Sequence, residues 1–434
     1  MTFDAVIPEL AKLMRENRAE IEPLLPVVIN RDLNGRIRFV VSEAATESAD
    51  AFSALKRVAE EVRKDLGPHS YPAPQAILLE PDIEAMIGSE TTYVIPDLER
   101  VYVIDRLATE GSWSSITSQT QGAPRIVFFA IKGGVGRSTA LAATAWTLAE
   151  AGKRVLVIDL DLESPGISTS MLPMDRRPAY GVVDWLVEDL VGNGEAVVQS
   201  MTSSSPLSRN GEILIVPSHG RDPGEYISKL GRVWMPKVDS AGIRERWSGR
   251  LNRLLDGLEE RWSPDVILVD SRSGIDEVSS ACLTEISASM ILLFAVDGDQ
   301  TWSGYRILFE HWRRTDVVTK IRERLQIVGA MIPEVGAEDY FAGMRENSWD
   351  LFSQELYDEV PAGAIPVEGE IWSFDKDDRS APHFPWAIRW HRGFAALQSL
   401  YGGLERIDPV EIQSIFGNMT ENIASFVEGT RGRL

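Results

Sequence analysis

The stretch IVFFAIKGGVGRST, residues 126–139, joins an apolar run of strand length to a glycine-rich loop and then to a helix. The run Ile126–Ala130 is wholly apolar, and the alanine-rich segment Thr139–Ala151 is typical of a helix that ends before Gly152. Strand, glycine-rich loop and helix, in this order, are typical of a phosphate-binding loop. Glycines let successive backbone N–H groups point at one anion, and the helix N-terminus adds its positive dipole end.

Apolar runs of strand length continue along the chain and alternate with segments of helix length. They are Val155–Ile158, Ile213–Val216, Val266–Val269, Ile291–Val296, Ile327–Met331 and Ala364–Val367. Several lack polar alternation, which is typical of parallel strands covered by helices on both faces. The pattern predicts an α/β fold with a doubly wound, mostly parallel sheet.

Acidic residues follow two of these runs. Asp159 and Asp161 come directly after Val155–Ile158, and Asp270 ends the run Val266–Val269. Ligands of open α/β sheets bind at the carboxyl ends of the strands, so we expect these carboxylates to face the glycine-rich loop.

These three segments together resemble the ParA/MinD-like ATPases, a family that also includes the nitrogenase iron protein and the arsenite-pump ATPases. Residues 132–138, KGGVGRS, resemble the family's deviant Walker A pattern K-G-G-x-x-K-[ST]. Residues 159–161, DLD, resemble its D-x-D segment, and residues 270–274, DSRSG, resemble its Walker B end and switch, usually D-T-P-P-G. The resemblance covers about residues 125–405 and implies a P-loop NTPase domain with ATP and Mg²⁺ as cofactors.

The resemblance also implies roles for the matching residues. The nucleotide would be bound by Lys132, Gly133, Gly134, Val135, Gly136, Arg137, Ser138 and Thr139. Lys132 would reach across a dimer interface to the partner's nucleotide, and Asp161 would orient or activate the attacking water, which makes these two the catalytic residues. Mg²⁺ would be held by Ser138, Asp159, Asp161 and Asp270. Arg272 and Gly274 would belong to the switch, where Arg272 could sense the γ-phosphate, pair with Asp276 or contact a partner.

Two positions of the loop depart from the usual pattern G-x-x-x-x-G-K-[ST]. Ile131 replaces the first Gly and Arg137 replaces the Lys. Arginine keeps the charge and can pair with phosphate through two N–H groups, but it is bulkier and planar. Arg137 could therefore neutralise the β- and γ-phosphates, or allow nucleotide binding while slowing hydrolysis. A glycine-rich turn without a nucleotide is the alternative interpretation.

The rest of the chain suggests two further parts. Residues 1–111 predict a small α+β domain, with a hairpin at Asn34-Gly35 and a helix that ends before Gly67. This domain could bind a partner, regulate the ATPase or be a structural appendage. The polar residues 112–124 have the composition of a linker, and residues 125–434 would form the ATPase domain with C-terminal helices.

Composition restricts the partners and the compartment. The 434 residues include one Cys, which excludes an internal disulfide framework and a Cys-based zinc site. With 65 acidic against 44 basic side chains, the net charge of −21 disfavours binding DNA or anionic membrane through the whole surface. No signal peptide and no run of ~18 apolar residues is visible, so we expect a cytoplasmic protein.

The C-terminal segment 410–427 has an apolar helical face. Its members are Ile412, Ile415, Phe416, Met419, Ile423 and Phe426. The polar face carries Glu411, Glu421 and Glu428 rather than the Lys and Arg of membrane-surface helices, so we expect packing on the domain or on a partner.

Several functions are compatible with these residues. The first is an ATP-hydrolysing switch that forms a nucleotide-dependent homodimer and controls a protein partner through the N-terminal domain or the switch surface. The second is a nucleotide-binding scaffold with little hydrolysis. A third is a DNA- or cargo-partitioning ATPase, in which a groove lined by Arg244, Arg246, Arg250 and Arg253 would bind nucleic acid despite the acidic balance. A kinase or transferase would need a second pocket that the sequence does not indicate.

Overall fold

The computed structural model describes residues 3–73, 75–89, 92–106, 112–238, 242–359, 371–395 and 409–431. The chain forms two compact units. One comprises Met1–Ser115 with Arg314–Asp316, and the other Ile116–Arg313 with Val317–Leu434. The domain limits predicted from the sequence stay a prediction, and the strand predicted at Ala364–Val367 lies outside the described residues.

The first unit is built on a five-stranded mixed sheet with the order β3-β2-β1-β5-β4. Its strands are β1 (Val27–Arg31), β2 (Ile37–Ser42), β3 (Ile77–Glu80), β4 (Thr92–Val94) and β5 (Val101–Asp105). Its helices are α1 (Phe3–Glu16), α2 (Arg18–Ile21), α3 (Ala49–Leu66) and α4 (Ile83–Ser89), with 3₁₀ turns at Glu22–Leu24, Glu43–Glu47 and Gly67–His69.

Two local predictions for this unit are confirmed. Strands β1 and β2 pair antiparallel, and the carboxylate of Asp32 closes their turn by accepting the N–H groups of Asn34 at 2.9 Å and Arg36 at 2.8 Å. Helix α3 ends at Leu66, and Gly67 follows with a φ of 56°, which a residue without a Cβ adopts most easily.

The second unit is built on an eight-stranded sheet with the order β15-β14-β13-β6-β12-β7-β9-β8. Its strands are β6 (Arg125–Ala130), β7 (Arg154–Asp159), β8 (Ser203–Ser204), β9 (Glu212–Val216), β12 (Val266–Ser273), β13 (Met290–Ala295), β14 (Leu325–Ile332) and β15 (Trp386–Arg389). A separate antiparallel pair is formed by β10 (Lys237–Val238) and β11 (Arg244–Glu245).

Twelve helices belong to the described part of this unit. They are α5 (Arg137–Glu150), α6 (Ile167–Met171), α7 (Val182–Leu190), α8 (Gly194–Val198), α9 (Tyr226–Leu230), α10 (Trp247–Trp262), α11 (Glu277–Ser280), α12 (Asp299–Arg314), α13 (Val318–Ile321), α14 (Ala337–Glu355), α15 (Arg392–Ala395) and α16 (Pro409–Arg431). Single turns of 3₁₀-helix lie at Met174–Arg176 and Arg322–Arg324, and one of π-helix at Ala281–Glu285.

The strand order places the functional segments side by side. All neighbours in the eight-stranded sheet are parallel except β8 and β9. Strand β12 lies between β6 and β7, so the carboxyl ends of these three strands meet at one edge. All six residues of β6 are buried, and five of them form the apolar run Ile126–Ala130, for which burial was predicted. The predicted α/β fold with a doubly wound, mostly parallel sheet is confirmed.

The C-terminal helix packs on the second unit. Its buried apolar side chains are Ile412, Ile415, Phe416, Met419, Ile423 and Val427, and they belong to the same core as Ile126 and Leu141. Phe426, also predicted on this face, is only partly buried. Packing on the domain is therefore confirmed for this helix. In the described part of the chain, no helix combines the length and the apolar character that crossing a membrane requires.

Candidate nucleotide-binding site

The glycine-rich loop leaves β6 at the carboxyl edge of the sheet and leads into α5. Gly134 and Gly136 have φ angles of 76° and 80°, a backbone region that favours glycine. Val135 is buried in the core and anchors the loop there, whereas Lys132 and Gly133 are exposed. None of the main-chain N–H groups of residues 132–136 donates a hydrogen bond to a residue that the structure describes. The loop therefore offers five backbone donors to an anion.

The unusual residue at the start of the loop has a matching partner. Ile131 packs against Gly304 of α12 so closely that a Cβ added at position 304 would lie 2.4 Å from Cγ2 of Ile131. The missing side chain of Gly304 thus makes room for the larger residue at position 131. On the other side, the N–H of Gly274 donates to the carbonyl of Ala130 at 2.9 Å, which joins the predicted switch to the loop.

Arg137, the first residue of α5, points at the carboxylates and is nearly buried, with 7% of its surface exposed. Its Nε donates to Oδ1 of Asp270 at 2.8 Å, and Nη1 donates to Oγ of Ser273 at 2.9 Å. Nη2 donates to Oδ2 of Asp161 at 3.4 Å. Burial acts to lower the pKa of Arg137, but the charges of Asp270 and Asp161 outweigh it and raise the pKa. The guanidinium stays charged and bridges the two acidic segments.

Ser138 lies next to the same carboxylate. Its Oγ donates to Oδ2 of Asp270 at 2.9 Å, so both oxygens of this buried side chain are engaged by consecutive residues of α5. Thr139 follows in the first turn of the helix and is half-buried.

The two carboxylates of the D-x-D segment have different surroundings. Asp159 is fully buried, and its Oδ2 accepts from the N–H of Ser168 at 3.2 Å and from its Oγ at 2.6 Å. Burial, with the charge of Asp270, raises the pKa of Asp159 to about 7. These contacts suit a residue that anchors the following loop, and its predicted role at Mg²⁺ stays a prediction.

Asp161 is the more accessible of the two, with 15% of its side chain exposed. Burial raises its pKa, while the charge of Arg137 acts in the opposite direction. Its Oδ1 accepts the N–H of Ser164 at 3.2 Å. Asp161 therefore reaches the site that Arg137 occupies, whereas Asp159 is turned into the protein.

The predicted switch is held by ion pairs. Arg272 contacts Oε2 of Glu163 at 2.8 Å and Oδ2 of Asp276 at 3.2 Å, and it is about one-third exposed. Of the three roles considered for it, pairing with Asp276 is the one observed. Gly274 has a φ of 95°, which explains the glycine at this turn.

The residues at this edge fit a nucleotide with its metal ion. The free loop amides suit a phosphate chain. Ser138 and Asp270 supply hydroxyl and carboxylate oxygens, the ligands that Mg²⁺ prefers. Lys132 does not join the carboxylates; its side chain is exposed and makes no ion pair within the described ranges.

The family model of the CobQ/CobB/MinD/ParA nucleotide binding domain matches residues 126–364, more than half of the chain. The chain belongs to this family. The resemblance to ParA/MinD-like proteins that the motifs indicated is thereby confirmed. Among curated proteins, no sequence matches this chain.

Solved structures similar to this chain include three whose ligands or partners are known from their descriptions. pNOB8 ParA bound to nonspecific DNA shares 16% identity over 72% of this chain and 99% of that chain, with a TM-score of 0.43. MinD of Aquifex aeolicus in its MinC:MinD complex shares 14% identity over 70% and 96%, with a TM-score of 0.41. Cobyrinic acid a,c-diamide synthase from Mycobacterium smegmatis, with an ATP analogue and magnesium, shares 18% identity over 56% and 87%, with a TM-score of 0.37. These low similarities identify no ligand or partner of this family member.

Sequence reasoning missed several residues that shape the site. Ser168 binds Asp159, Ser273 binds Arg137, and the hydroxyl of Tyr226 donates to the carbonyl of Leu162 at 2.5 Å. Ser273 could have been found, because it stands where the family's switch pattern usually has Pro. Ser168 and Tyr226 carry no comparable signal.

The arginine groove considered for nucleic acid is corrected at two of its four residues, Arg250 and Arg253, which pair with carboxylates of the protein. Arg250 is fully buried, where its Nε donates to Oδ2 of Asp189 at 2.8 Å. Arg253 contacts the same oxygen at 2.9 Å and also Oε2 of Glu245 at 2.8 Å. Lys237 adds a third cation, at 2.9 Å from Oδ1 of Asp189. We call this group the Asp189 cluster, and it takes up Arg250 and Arg253, two of the four arginines that were predicted to face DNA.

Proposed function

We propose that the protein binds ATP and Mg²⁺ at residues 132–138 and hydrolyses ATP as a dimerisation switch that controls a protein partner. One observation carries the proposal: five unpartnered loop amides lie at the same sheet edge as Asp161 and Asp270. The amides would bind the phosphates, while Ser138 and Asp270 would hold Mg²⁺. The accessible carboxylate of Asp161 would orient the attacking water.

The switch needs a residue that couples nucleotide binding to dimer formation, and we assign this role to Lys132. A lysine that is exposed and makes no ion pair within the described ranges is available to a second subunit. Closure of the dimer would then move the segment around Arg272 and Gly274, which is joined to the loop through Gly274 and Ala130. Residues 1–111 would supply partner specificity, residues 112–124 would link the domains, and residues 125–434 would form the ATPase domain.

Turnover and assembly test this proposal together. Wild-type protein should release phosphate from ATP, and Asp161→Asn should stop release without weakening ATP binding. Lys132→Ala should bind ATP within about threefold of the wild-type affinity, a difference below 1 kcal/mol, yet fail to dimerise in light scattering with ATP. Asp175→Asn and Lys320→Ala are matched controls, because both residues are exposed and lie outside the site. Equal turnover in wild type and Asp161→Asn would remove Asp161 from the mechanism.

A nucleotide-binding scaffold with little hydrolysis is the second candidate. It is favoured by the contacts of Arg137, which engage Asp161 and Asp270 and so restrict the two carboxylates that hydrolysis needs. ATP binding without measurable phosphate release, together with faster release in Arg137→Lys, would support the scaffold over the switch.

A further inference from the structure

Arg137 lies on the carboxylates where a divalent cation would be expected. Its guanidinium joins Asp270 and Asp161, two of the residues predicted to hold Mg²⁺, and it is nearly closed off from solvent. One permanently charged group therefore already offsets part of the negative charge of the site.

We infer that Arg137 is the resident counter-cation of Asp161 and Asp270, so that ATP binds the loop without needing Mg²⁺. The inference rests on the proposed nucleotide site and adds its regulation: Mg²⁺ competes with the guanidinium for Asp270 instead of entering an open pair of carboxylates.

Coulomb repulsion is the physical reason for the usual dependence on a metal. A triphosphate placed beside two ionised carboxylates is repelled strongly in a partly dry site, and a divalent cation cancels the repulsion. Here Asp270 has 1% and Asp161 15% of its side chain exposed, so water screens them poorly. The guanidinium between them offsets part of that repulsion before any nucleotide arrives.

The shape of the guanidinium lets it serve carboxylates and phosphate together. An arginine has five N–H donors, and three of them are used by Asp270, Ser273 and Asp161. Two donors remain for a phosphate oxygen. A lysine at position 137 would offer one compact ammonium, which cannot bridge the same two carboxylates through separate nitrogen atoms.

Ser273 supports this arrangement from the switch. Its Oγ accepts from Nη1 of Arg137, and it occupies a position where the family's pattern usually has Pro, which has no side-chain acceptor. Two of the departures from the family's motifs, Arg137 and Ser273, are thus in direct contact.

Equilibrium binding of a fluorescent, slowly hydrolysed ATP analogue, with excess Mg²⁺ or with excess EDTA, tests the inference. Wild-type Kd should differ by less than about threefold between the two buffers, whereas Arg137→Lys should bind at least about tenfold more weakly in EDTA, which is 1.4 kcal/mol. Arg137→Gln, which lacks the charge, should behave like Arg137→Lys. Arg209→Lys, at an exposed ion pair with Glu150, is the matched control and should follow the wild type.

Each outcome decides one point. A wild-type Kd that rises tenfold or more in EDTA would overturn the inference and leave the nucleotide site standing. Equal Kd values in both buffers for wild type and for both Arg137 variants would also overturn it, since the guanidinium would then not matter. Absence of binding in both buffers would instead overturn the proposed function. The wild-type comparison needs no variant, so it decides the matter even if a substitution at Arg137 prevents folding.

Discussion

Two charge clusters of the second unit have opposite balances. At the candidate site, one guanidinium serves the two carboxylates Asp161 and Asp270. In the Asp189 cluster, Asp189 is contacted by Lys237, Arg250 and Arg253, of which Arg253 also pairs with Glu245. The candidate site has fewer cationic side chains than carboxylates, and the Asp189 cluster has more cationic side chains than carboxylates.

The pKa values follow these balances. Burial acts to raise the pKa of Asp189, but hydrogen bonds from Arg253, Arg250 and Lys237 outweigh it and lower the pKa to about 2. At the candidate site burial prevails, and the pKa values of Asp159 and Asp161 are raised. A carboxylate that several cations contact stays ionised and holds the surrounding segments together. Carboxylates that share one cation can still bind a metal ion or a proton.

The largest expected effect is on folding, from Asp189→Asn. The substitution leaves Arg250 fully buried without its ion pair, and breaking a buried pair in this way costs about 3–5 kcal/mol. Denaturant titration should show this loss in the free energy of unfolding, while the exposed Asp175→Asn should change little. A loss below about 1 kcal/mol would mean that the ion pairs of the Asp189 cluster do not hold this part of the fold together.

Asp161→Asn should reduce turnover without reducing stability, the opposite of the result expected for Asp189→Asn. Turnover per folded molecule should fall by about two to four orders of magnitude, the range of a lost acid–base or orienting group. The free energy of unfolding should not fall, because a half-buried carboxylate with a raised pKa is removed. Phosphate release and denaturant titration on one preparation check both parts. A large loss of stability with intact turnover would show that Asp161 stabilises the fold and does not act in turnover.

A smaller effect is expected at the packing beneath the loop. Gly304→Ala would place a Cβ 2.4 Å from Cγ2 of Ile131, and such overpacking costs about 1–3 kcal/mol. ATP binding should weaken as the loop shifts. Gly257→Ala in α10 is the matched control, because a Cβ there meets nothing within 4 Å. Restored binding in the double variant Ile131→Ala/Gly304→Ala would identify the clash as the cause, and additive losses would refute it.

The smallest effect is the pH dependence of the Asp189 cluster. The folded pKa of about 2 lies below the ordinary value of 3.8, so the stability from this carboxylate is present above about pH 4. It should be lost as the pH falls through about 2. The difference in unfolding free energy between wild type and Asp189→Asn should therefore shrink across this range. A difference that grows on acidification would show that Asp189 is not the group being titrated.

Local pattern was enough to predict the loop and the fold. The strand at residues 126–130, the glycines 134 and 136 and the helix after them follow one another in the chain, and β7 and β12 carry the expected acidic residues. The contacts of Arg137 could not be predicted, because Asp161 and Asp270 are 24 and 133 residues away. Only the folded sheet decides whether an arginine points to a ligand or to the protein's own carboxylates.

The buried Arg250 did leave a signal that was not used. It follows Trp247 by three residues and precedes Leu254 by four, which puts it on the buried face of α10. A charged residue on an apolar helix face indicates an internal partner more often than an external one, since an unpaired buried charge is costly. Asp189 itself could not be named from this spacing.

Hydrogen–deuterium exchange with and without the slowly hydrolysed ATP analogue and Mg²⁺ tests the nucleotide site most directly. The amides of residues 132–136 have no partner among the described residues, so they should exchange fast in the free protein and slowly once phosphate oxygens accept from them. We predict that protection by the nucleotide is strongest in the peptides that cover these residues. Binding of the analogue with no protection in this loop would contradict the account.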